Sequence, residues 1–225
     1  MKTKELRQAY YTATVSEFQK DVERGQYIEK MLLGGKFLLD TYNSETKSWE
    51  ENAKVISKLL SDANLPNPDD VYVSFEYAAP VGGRVDCVLF GTGKDGKKNV
   101  ILIELKQWGN QVEVFSAYGK RWVNVFVGGS DKIVDHPSEQ AERYEIHFRN
   151  FVNLFDQEEY ELTSLAYCYN YESKGKEGLF DDMFAKLRER CPLYSKDMTA
   201  ELSQNLHDLL CNGQGEVIAK SLAGT

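Results

Sequence analysis

Residues 84–90, RVDCVLF, and residues 99–108, NVILIELKQW, decide the fold of this chain. Both stretches are mostly apolar and are separated by a turn rich in glycine and lysine, which predicts two neighbouring antiparallel strands in a sheet. Charged residues interrupt each apolar run, Asp86 in the first and both Glu104 and Lys106 in the second. Since residues two apart in a strand project to one side, Glu104 and Lys106 should share a face of the sheet.

The preceding sequence predicts one more strand and one helix. Residues 71–77 alternate apolar and polar side chains, and the turn residues 80–83 connect them to the strand that contains Asp86. A helix is predicted from about residue 45 to 63 because apolar residues recur there at helical spacing: Trp49, Ala53, Ile56 and Leu60.

The following sequence predicts the other half of the core. Short β runs at residues 112–115 and 122–127 precede a helix over about residues 137–154, which has a proline near its first position. Residues 162–169 predict a fourth core strand. The predicted order of helix, three strands, helix and strand is that of an α/β core with a mixed central sheet flanked by helices.

Three parts of the chain are expected: an N-terminal helical support over residues 1–40, the α/β core over 41–172, and a C-terminal helical segment over 173–225 that packs on the core. The chain has 225 residues, of which 42% are hydrophobic and 28% charged, and this is sufficient for a core without disulfide bonds. The four cysteines form no C-x-x-C motif and are predicted to be reduced thiols rather than metal ligands.

Charge and hydropathy limit the function classes. A net charge of −8 argues against a protein that coats nucleic acid through its overall charge, so any nucleic-acid contact should be local. No apolar run approaches the ~20 residues of a membrane span, and the N-terminus has no signal-peptide pattern. We therefore predict a cytoplasmic protein with no membrane partner.

Two carboxylates and an ammonium group on adjacent strands predict a compact site for one or two hard divalent cations, which take oxygen ligands. Phosphodiester hydrolysis is the chemistry that this combination favours. In such reactions Mg²⁺ or Mn²⁺ contacts the scissile phosphate and a nearby ammonium group orients the attacking water or stabilises the transition state.

Asp86 followed by Glu104-Leu105-Lys106 resembles the signature of the PD-(D/E)xK nuclease superfamily, whose restriction-endonuclease-like fold has an αβββαβ core. The residue before the aspartate, often proline in the family, is Val85 here. The resemblance implies that Asp86 and Glu104 bind Mg²⁺ or Mn²⁺ together with the backbone carbonyl of Leu105. It also implies that Lys106 acts on the attacking water.

The position of the triplet matters more than its composition. Glu-x-Lys also occurs at residues 45–47 and 172–174, but only residues 104–106 lie in a core-like β run that follows a strand with an aspartate. The alternative interpretation is an edge strand that presents its Glu and Lys to solvent.

Gln140 and Tyr144 are four residues apart and share one face of the predicted helix. Their spacing resembles the Q-x-x-x-Y element of nucleases related to the bacterial recombination exonucleases, in which both side chains approach the active site and the nucleic acid. This chain lacks the cysteine arrangement that some of those proteins use for an iron–sulfur cluster. The alternative is a surface glutamine and a core tyrosine.

Glu45 lies four residues before Trp49 and so extends the apolar stripe of its helix, an unusual place for a carboxylate unless a metal or its water satisfies it. A first-turn glutamate favoured by the helix dipole is the alternative. The segment 44–49 resembles the N-terminal nuclease domains of DNA/RNA helicase-linked proteins. That resemblance implies Glu45 as a catalytic residue and metal ligand.

The same helicase-linked group is similar to this chain around Glu76 and in the pair Gln107-Trp108. The resemblance implies that Glu76 is the alternative to Glu45 in the metal set and that Gln107 and Trp108 bind the substrate. An ordinary exposed strand residue is the alternative for Glu76. Trp108 and Trp122 could stack on bases. Basic residues on the turns beside the strands could contact phosphates, and the alternative is that they are ordinary solvated turn residues: Lys94, Lys97, Lys98, Lys120 and Arg121.

The sequence therefore predicts a divalent-metal-dependent nuclease. The resemblance favours DNA over RNA as the nucleic acid and implies a helicase or ATPase domain or subunit as a partner. The rival prediction is a catalytically inactive nuclease-like module that binds nucleic acid or docks proteins, which the acidic net charge favours.

Overall fold

The computed structural model of the chain describes residues 9–39, 43–115, 122–173, 175 and 177–225. Its α-helices are α1 (Val15–Glu23), α2 (Tyr27–Gly35), α3 (Ser44–Asp62), α4 (Pro137–Phe151), α5 (Ala185–Arg190), α6 (Thr199–Leu210) and α7 (Gly215–Ala223). None of these helices has the length and apolar character that crossing a membrane requires.

The strands of the described residues form two sheets. They are β1 (Tyr11–Thr14), β2 (Tyr72–Ala78), β3 (Arg84–Thr92), β4 (Lys98–Lys106), β5 (Val112–Phe115), β6 (Trp122–Val127), β7 (Ser130–Asp135), β8 (Tyr160–Cys168) and β9 (Leu193–Ser195). The larger sheet has the order β1-β2-β3-β4-β8-β9, antiparallel from β1 to β4 and parallel from β4 to β9. The smaller sheet, β5-β6-β7, is antiparallel.

The predicted mixed α/β architecture is confirmed. Helix α3 precedes three antiparallel strands, β2 to β4, and helix α4 then leads to β8, which pairs parallel with β4. A right-handed helical crossover is the usual way to join such parallel strands, and α4 packs on both β4 and β8. Pairing on both sides also shows that β4 is an interior strand, so the edge-strand alternative for the Glu-x-Lys triplet is wrong.

Three short strands were not predicted. The helical prediction for residues 1–40 is wrong at Tyr11–Thr14, where aromatic and β-branched residues pair with the free side of β2. Strand β9 adds a similar short edge within the predicted C-terminal helical segment. Strand β7 is exposed along most of its length and so carries no apolar alternation that could have indicated it.

Both faces of the larger sheet are buried. One face packs against α1, α2, α3 and α6 through side chains that include Phe18, Met31 and Ile56. The other face packs against α4 and α7 through side chains that include Phe148 and Ile218. Strands buried on both faces are nearly continuous apolar runs, which explains the composition of β3 and β4 and makes their charged residues exceptional.

Candidate active site

The charged residues of the core strands meet at one end of the larger sheet. The register places Glu76 and Asp86 opposite each other on β2 and β3, and Glu104 beside Asp86 on β4. The interior position is nearly dry, since Glu104 is only 2% exposed. Three carboxylates therefore lie at the same level on three adjacent strands.

Hydrogen bonds connect this row to its neighbours. The Leu105 backbone N–H donates to Asp86 Oδ2 at 2.7 Å. Lys106 Nζ donates to Glu104 Oε1 at 2.6 Å and to Gln140 Oε1 at 3.1 Å, which confirms that Glu104 and Lys106 share a face. The second carboxylate oxygen, Glu104 Oε2, is buried and has no hydrogen-bond partner among the residues that the structure describes. A buried anionic oxygen without a partner is unfavourable unless a cation or a donor reaches it.

Burial and mutual repulsion raise the pKa values of the carboxylates. The pKa of Glu104 is raised to about 8 by burial and then by Asp86, against the opposing effect of Lys106. The pKa of Glu76 is raised to about 7 by burial and then by Asp86. Burial also raises the pKa of Asp86, although Lys106 and the Leu105 N–H oppose the change. Burial lowers the pKa of Lys106, but attraction to Glu104 and Asp86 outweighs it, so the net shift is upward. The site therefore has too little positive charge for its carboxylates.

Glu76 occupies its place through an unusual backbone conformation. Its φ angle is 51°, in the left-handed region, which costs a non-glycine residue about 1–2 kcal/mol. Its side chain accepts a hydrogen bond from Trp49 Nε1 at 3.0 Å, and its carbonyl accepts one from the Arg84 guanidinium group. The alternative of an ordinary exposed strand residue is therefore wrong for Glu76.

Helix α3 forms one wall of the site. Asn43 caps this helix, because its side-chain oxygen accepts the N–H groups of Glu45 at 2.9 Å and Thr46 at 3.1 Å. The cap sets the first turn at the end of the sheet, where Glu45 is exposed and faces the cleft. Glu45 also contributes, as the last of several effects, to the raised pKa of Glu76.

Helix α4 approaches from the other side. It begins at Pro137, and Ser138 N donates to His136 Nδ1 at 3.2 Å while His136 Nε2 donates to the Leu179 carbonyl at 3.0 Å. One turn later, Gln140 reaches the cleft and contacts Lys106.

Tyr144, one turn beyond Gln140, is half-buried and interacts with the Gln140 side chain. It is a neighbour of the cleft rather than part of its lining, and burial raises the pKa of its phenol. The Q-x-x-x-Y pair thus places its glutamine at the site and its tyrosine behind that glutamine.

The two residues after the Glu-x-Lys triplet also line the cleft. Gln107 Nε2 donates to Ser48 Oγ at 3.0 Å and so connects the end of β4 to helix α3. The Trp108 ring centroid lies 5.5 Å from Lys106 Nζ, within the range of a cation–π interaction. Both of these predicted substrate-binding residues therefore lie at the cleft.

The cleft has a volume of about 720 Å³, and its lining includes residues that the sequence did not indicate. Asn52 comes from helix α3, and the tip of the β6–β7 hairpin contributes Phe126, Val127 and Gly128. The hairpin closes through Gly128 and Gly129, whose φ angles of 61° and 82° suit a tight two-residue turn. No local pattern marks these residues, because only the tertiary arrangement brings the hairpin to the sheet.

The described basic residues that are predicted to contact the nucleic acid lie away from the carboxylates. Lys94, Lys97 and Lys98 surround the turn at the other end of the β3–β4 pair, roughly 20 Å from the carboxylates at about 3.3 Å per residue. Lys94 and Lys98 form ion pairs there with acidic side chains. Lys120 and Arg121 lie outside the described residues.

Trp122 is also away from the cleft. Its ring stacks on Phe115 and its Nε1 donates to Asp135 at 3.0 Å.

Among the described residues that line the cleft, Lys106 is the single cationic side chain, beside the four carboxylates Glu45, Glu76, Asp86 and Glu104.

The donor set suits a hard cation. In the described residues, no three Asp, Glu, His or Cys side chains already converge in a coordinating arrangement. The carboxylate row nevertheless supplies the oxygen ligands that Mg²⁺ and Mn²⁺ prefer, and the buried Glu104 Oε2 lacks a partner.

Comparisons of this chain with protein-family models, with curated proteins and with solved structures found no match. The function proposed below therefore rests on the residues of the site and on the sequence signature.

Proposed function

We propose that this protein is a divalent-metal-dependent nuclease that hydrolyses phosphodiester bonds and has a restriction-endonuclease-like core. The observation that carries the proposal is the row of Glu76, Asp86 and Glu104 on adjacent strands, with Lys106 bonded to Glu104 at the edge of a cleft. Carboxylates held close together and partly out of water lower the free energy of unfolding unless a ligand binds them, so such a group indicates a functional site.

Mg²⁺ or Mn²⁺ would be held by Asp86 and Glu104, with the Leu105 carbonyl and either Glu76 or Glu45 completing the set. The buried, unpartnered Glu104 Oε2 and the raised carboxylate pKa values support this assignment, since both reflect missing positive charge. When bound, the cation supplies Lewis-acid stabilisation of charge on the scissile phosphate.

The remaining side chains would act on the substrate and on the proton. Lys106 carries a positive charge at neutral pH and would orient the attacking water or stabilise the charge that develops on the phosphate. Gln140 accepts a hydrogen bond from Lys106 and so fixes the direction of the ammonium group. Gln107 and Trp108 line the same cleft and would contact the nucleic acid, with Tyr144 supporting Gln140.

The choice of DNA over RNA and the partnership with a helicase or ATPase domain are proposals that rest on the sequence resemblance. For nucleic acid of either kind, the cleft supplies one relevant feature, because Trp108 and Phe126 line it with aromatic rings on which bases can stack.

The test is cleavage of labelled single-stranded and duplex DNA and RNA, linear and circular, by the purified chain in Mg²⁺ or Mn²⁺. We expect cleavage by the wild type and its loss in Asp86→Asn. The matched control is Asp62→Asn, which removes an exposed carboxylate of α3 that pairs with Lys58. Equal cleavage by wild type and Asp86→Asn would show that a contaminating nuclease is responsible and would refute the proposal.

A catalytically inactive module is the second candidate, favoured because Lys106 is the single cationic side chain among the described residues that line the cleft. Calorimetric titration with Mn²⁺ separates the two. Binding that disappears in Glu104→Gln but persists in Glu159→Gln, an exposed partner of Lys98, supports the nuclease. Absence of Mn²⁺ binding, both alone and with DNA present, supports the inactive module.

A further inference from the structure

The left-handed residue Glu76 changes the course of strand β2. Phe75, just before it, packs on Phe18 in the core beneath helices α1 to α3. Tyr77, just after it, packs on Phe90 and Phe148 on the opposite side of the sheet. Residues two apart in a regular strand share a face, so the backbone turns at Glu76. A non-glycine residue keeps such a conformation only where its surroundings enforce it.

Three side chains surround Glu76 and could enforce that conformation. The Arg84 guanidinium group donates to the Glu76 carbonyl, and its central carbon lies 3.8 Å from the centroid of the Tyr10 ring. The Tyr10 ring meets the Trp49 ring edge-on, with centroids 5.8 Å apart. Trp49 Nε1 in turn donates to Glu76 Oε1 at 3.0 Å. Arg84, Tyr10 and Trp49 thus form a closed ring of contacts with Glu76, which we name the Glu76 clamp.

The Tyr10 member of the clamp is itself held firmly. Its N–H donates to the Phe75 carbonyl at 3.1 Å, and its ring packs edge-on against Phe37 at 5.4 Å. Helix α2 approaches its backbone so closely that a Cβ atom added at Gly34 would lie 1.7 Å from the Tyr10 carbonyl oxygen. Only glycine allows this approach, so the support of the clamp is built into the packing of α2.

We infer that the Glu76 clamp positions the Glu76 carboxylate beside Asp86, and that Glu76 rather than Glu45 is the third carboxylate of the metal set. The inference rests on the proposed function. Arg84, Tyr10 and Trp49 are positioning residues in this account, because each acts through Glu76. Glu45, by contrast, is exposed on the first turn of α3.

Calorimetric titration of the whole chain with Mn²⁺ tests the metal part of the inference. Arg84→Ala and Tyr10→Leu should each weaken Mn²⁺ binding roughly ten- to hundred-fold, the usual effect of removing a group that orients a ligand. Arg84→Lys should recover little, since a lysine keeps the charge but lacks the planar group that stacks on Tyr10. Arg143→Ala, which removes an exposed arginine paired with Asp135, is the control and should bind as the wild type does. Unchanged affinity in folded Arg84→Ala and Tyr10→Leu would overturn the inference.

A double-mutant cycle shows whether Arg84 acts through Glu76. Glu76→Gln should weaken Mn²⁺ binding by a similar factor, and adding Arg84→Ala to it should produce little further loss. Losses that multiply would mean that Arg84 acts independently of Glu76 and would overturn the inference. Equal Mn²⁺ affinity in Glu76→Gln and wild type, with a loss in Glu45→Gln, would assign the third carboxylate to Glu45 instead.

A metal-free measurement separates the clamp from the proposed function. The indole N–H resonance of Trp49 in a ¹H–¹⁵N spectrum reports its hydrogen bond to Glu76. In Arg84→Ala it should move toward its position in Glu76→Ala, while the indole resonance of Trp122 stays in place. If wild type binds no Mn²⁺ but the Trp49 resonance moves, the proposed function fails and the clamp stands. If the Trp49 resonance does not move, the clamp fails whatever the metal does.

Discussion

At Glu104 the chain keeps a carboxylate almost out of contact with water and pairs it with the ammonium group of Lys106. Two more carboxylates, Glu76 and Asp86, stand at the same level of the sheet. In the metal-free protein this arrangement is strained electrostatically, because burial and like charge both favour the protonated acids. The state of these residues should therefore respond to pH and to added cations.

The first prediction concerns pH in the metal-free protein. The pKa values of Glu76 and Glu104 are raised to about 7 and about 8, so the folded state binds their protons more tightly than the unfolded state does. The free energy of unfolding should be highest at and below the ordinary carboxyl pKa, fall as pH rises through the raised pKa values, and level off above about pH 9. We expect a fall on the order of 5 kcal/mol between pH 5 and pH 8, because a pKa difference of one between the folded and unfolded states contributes about 1.4 kcal/mol.

Urea denaturation in the presence of EDTA at a series of pH values measures this dependence. Glu76→Gln should flatten the curve because it removes one titrating group and its repulsion of Asp86. Glu159→Gln, at an exposed site just before β8 that pairs with Lys98, should leave the curve as it is. A free energy that rises from pH 5 to pH 8 would contradict the prediction.

The second prediction concerns Lys106. Lys106→Met keeps a chain of similar length but removes the ammonium group from Glu104 and Gln140. Loss of a single preorganised donor to a transition state typically reduces kcat about 10²–10³-fold, and we expect a loss of that size in DNA cleavage. Lys58→Met, on the exposed side of α3, should cleave normally. Normal cleavage by Lys106→Met would exclude a catalytic role for the ammonium group.

At the scale of the element, helix α3 depends on the cap that sets its start. The third prediction is that Asn43→Ala lowers the free energy of unfolding by about 1 kcal/mol, because the N–H groups of Glu45 and Thr46 lose their acceptor. Asn43→Asp keeps an acceptor oxygen and should be close to wild type. Urea denaturation measures both, and Lys47→Ala, exposed on the same turn, is the control. Equal stability of Asn43→Ala and wild type would show that the cap is dispensable.

The elements that could be predicted from sequence are those whose surroundings impose a pattern. Strands β3 and β4 are buried on both faces and consist of apolar runs, so the three charges at Asp86, Glu104 and Lys106 stood out. Helix α3 buries one face and carries a regular apolar stripe. Strand β1 has four residues and takes its structure from pairing with β2, which no local pattern reveals.

Some residues of the candidate site could likewise be predicted from local sequence geometry, whereas others depend on long-range contacts. Glu104 and Lys106 share a face because of strand geometry alone, so their proximity followed from the sequence. The role of Glu76 in the clamp depends on a backbone conformation that propensity does not favour for glutamate. Phe126 reaches the cleft because a separate sheet folds over it, and such long-range contacts leave no trace in local spacing.

At the scale of the whole molecule, metal binding and folding should be coupled. The fourth prediction is that Mn²⁺ at a hundred times its Kd raises the free energy of unfolding by about 2.7 kcal/mol. For a chain of this size that corresponds to an increase in Tm of roughly 5–10 °C. Scanning calorimetry with and without EDTA measures the shift. Glu104→Gln should abolish it and Glu159→Gln should keep it, and an unchanged wild-type Tm would contradict the prediction.

Strand β7 is the last strand of the smaller sheet, and among the described residues no strand pairs with its outer side, in a stretch that contains Asp131, Lys132 and a single exposed Ile133. An open strand border invites the same border of another molecule, and charged side chains of both signs along it make that approach unfavourable. We therefore expect the sequence of β7 to limit aggregation at high concentration. The same polar side chains that remove the apolar alternation of a typical strand from β7 should disfavour pairing between two molecules of the protein.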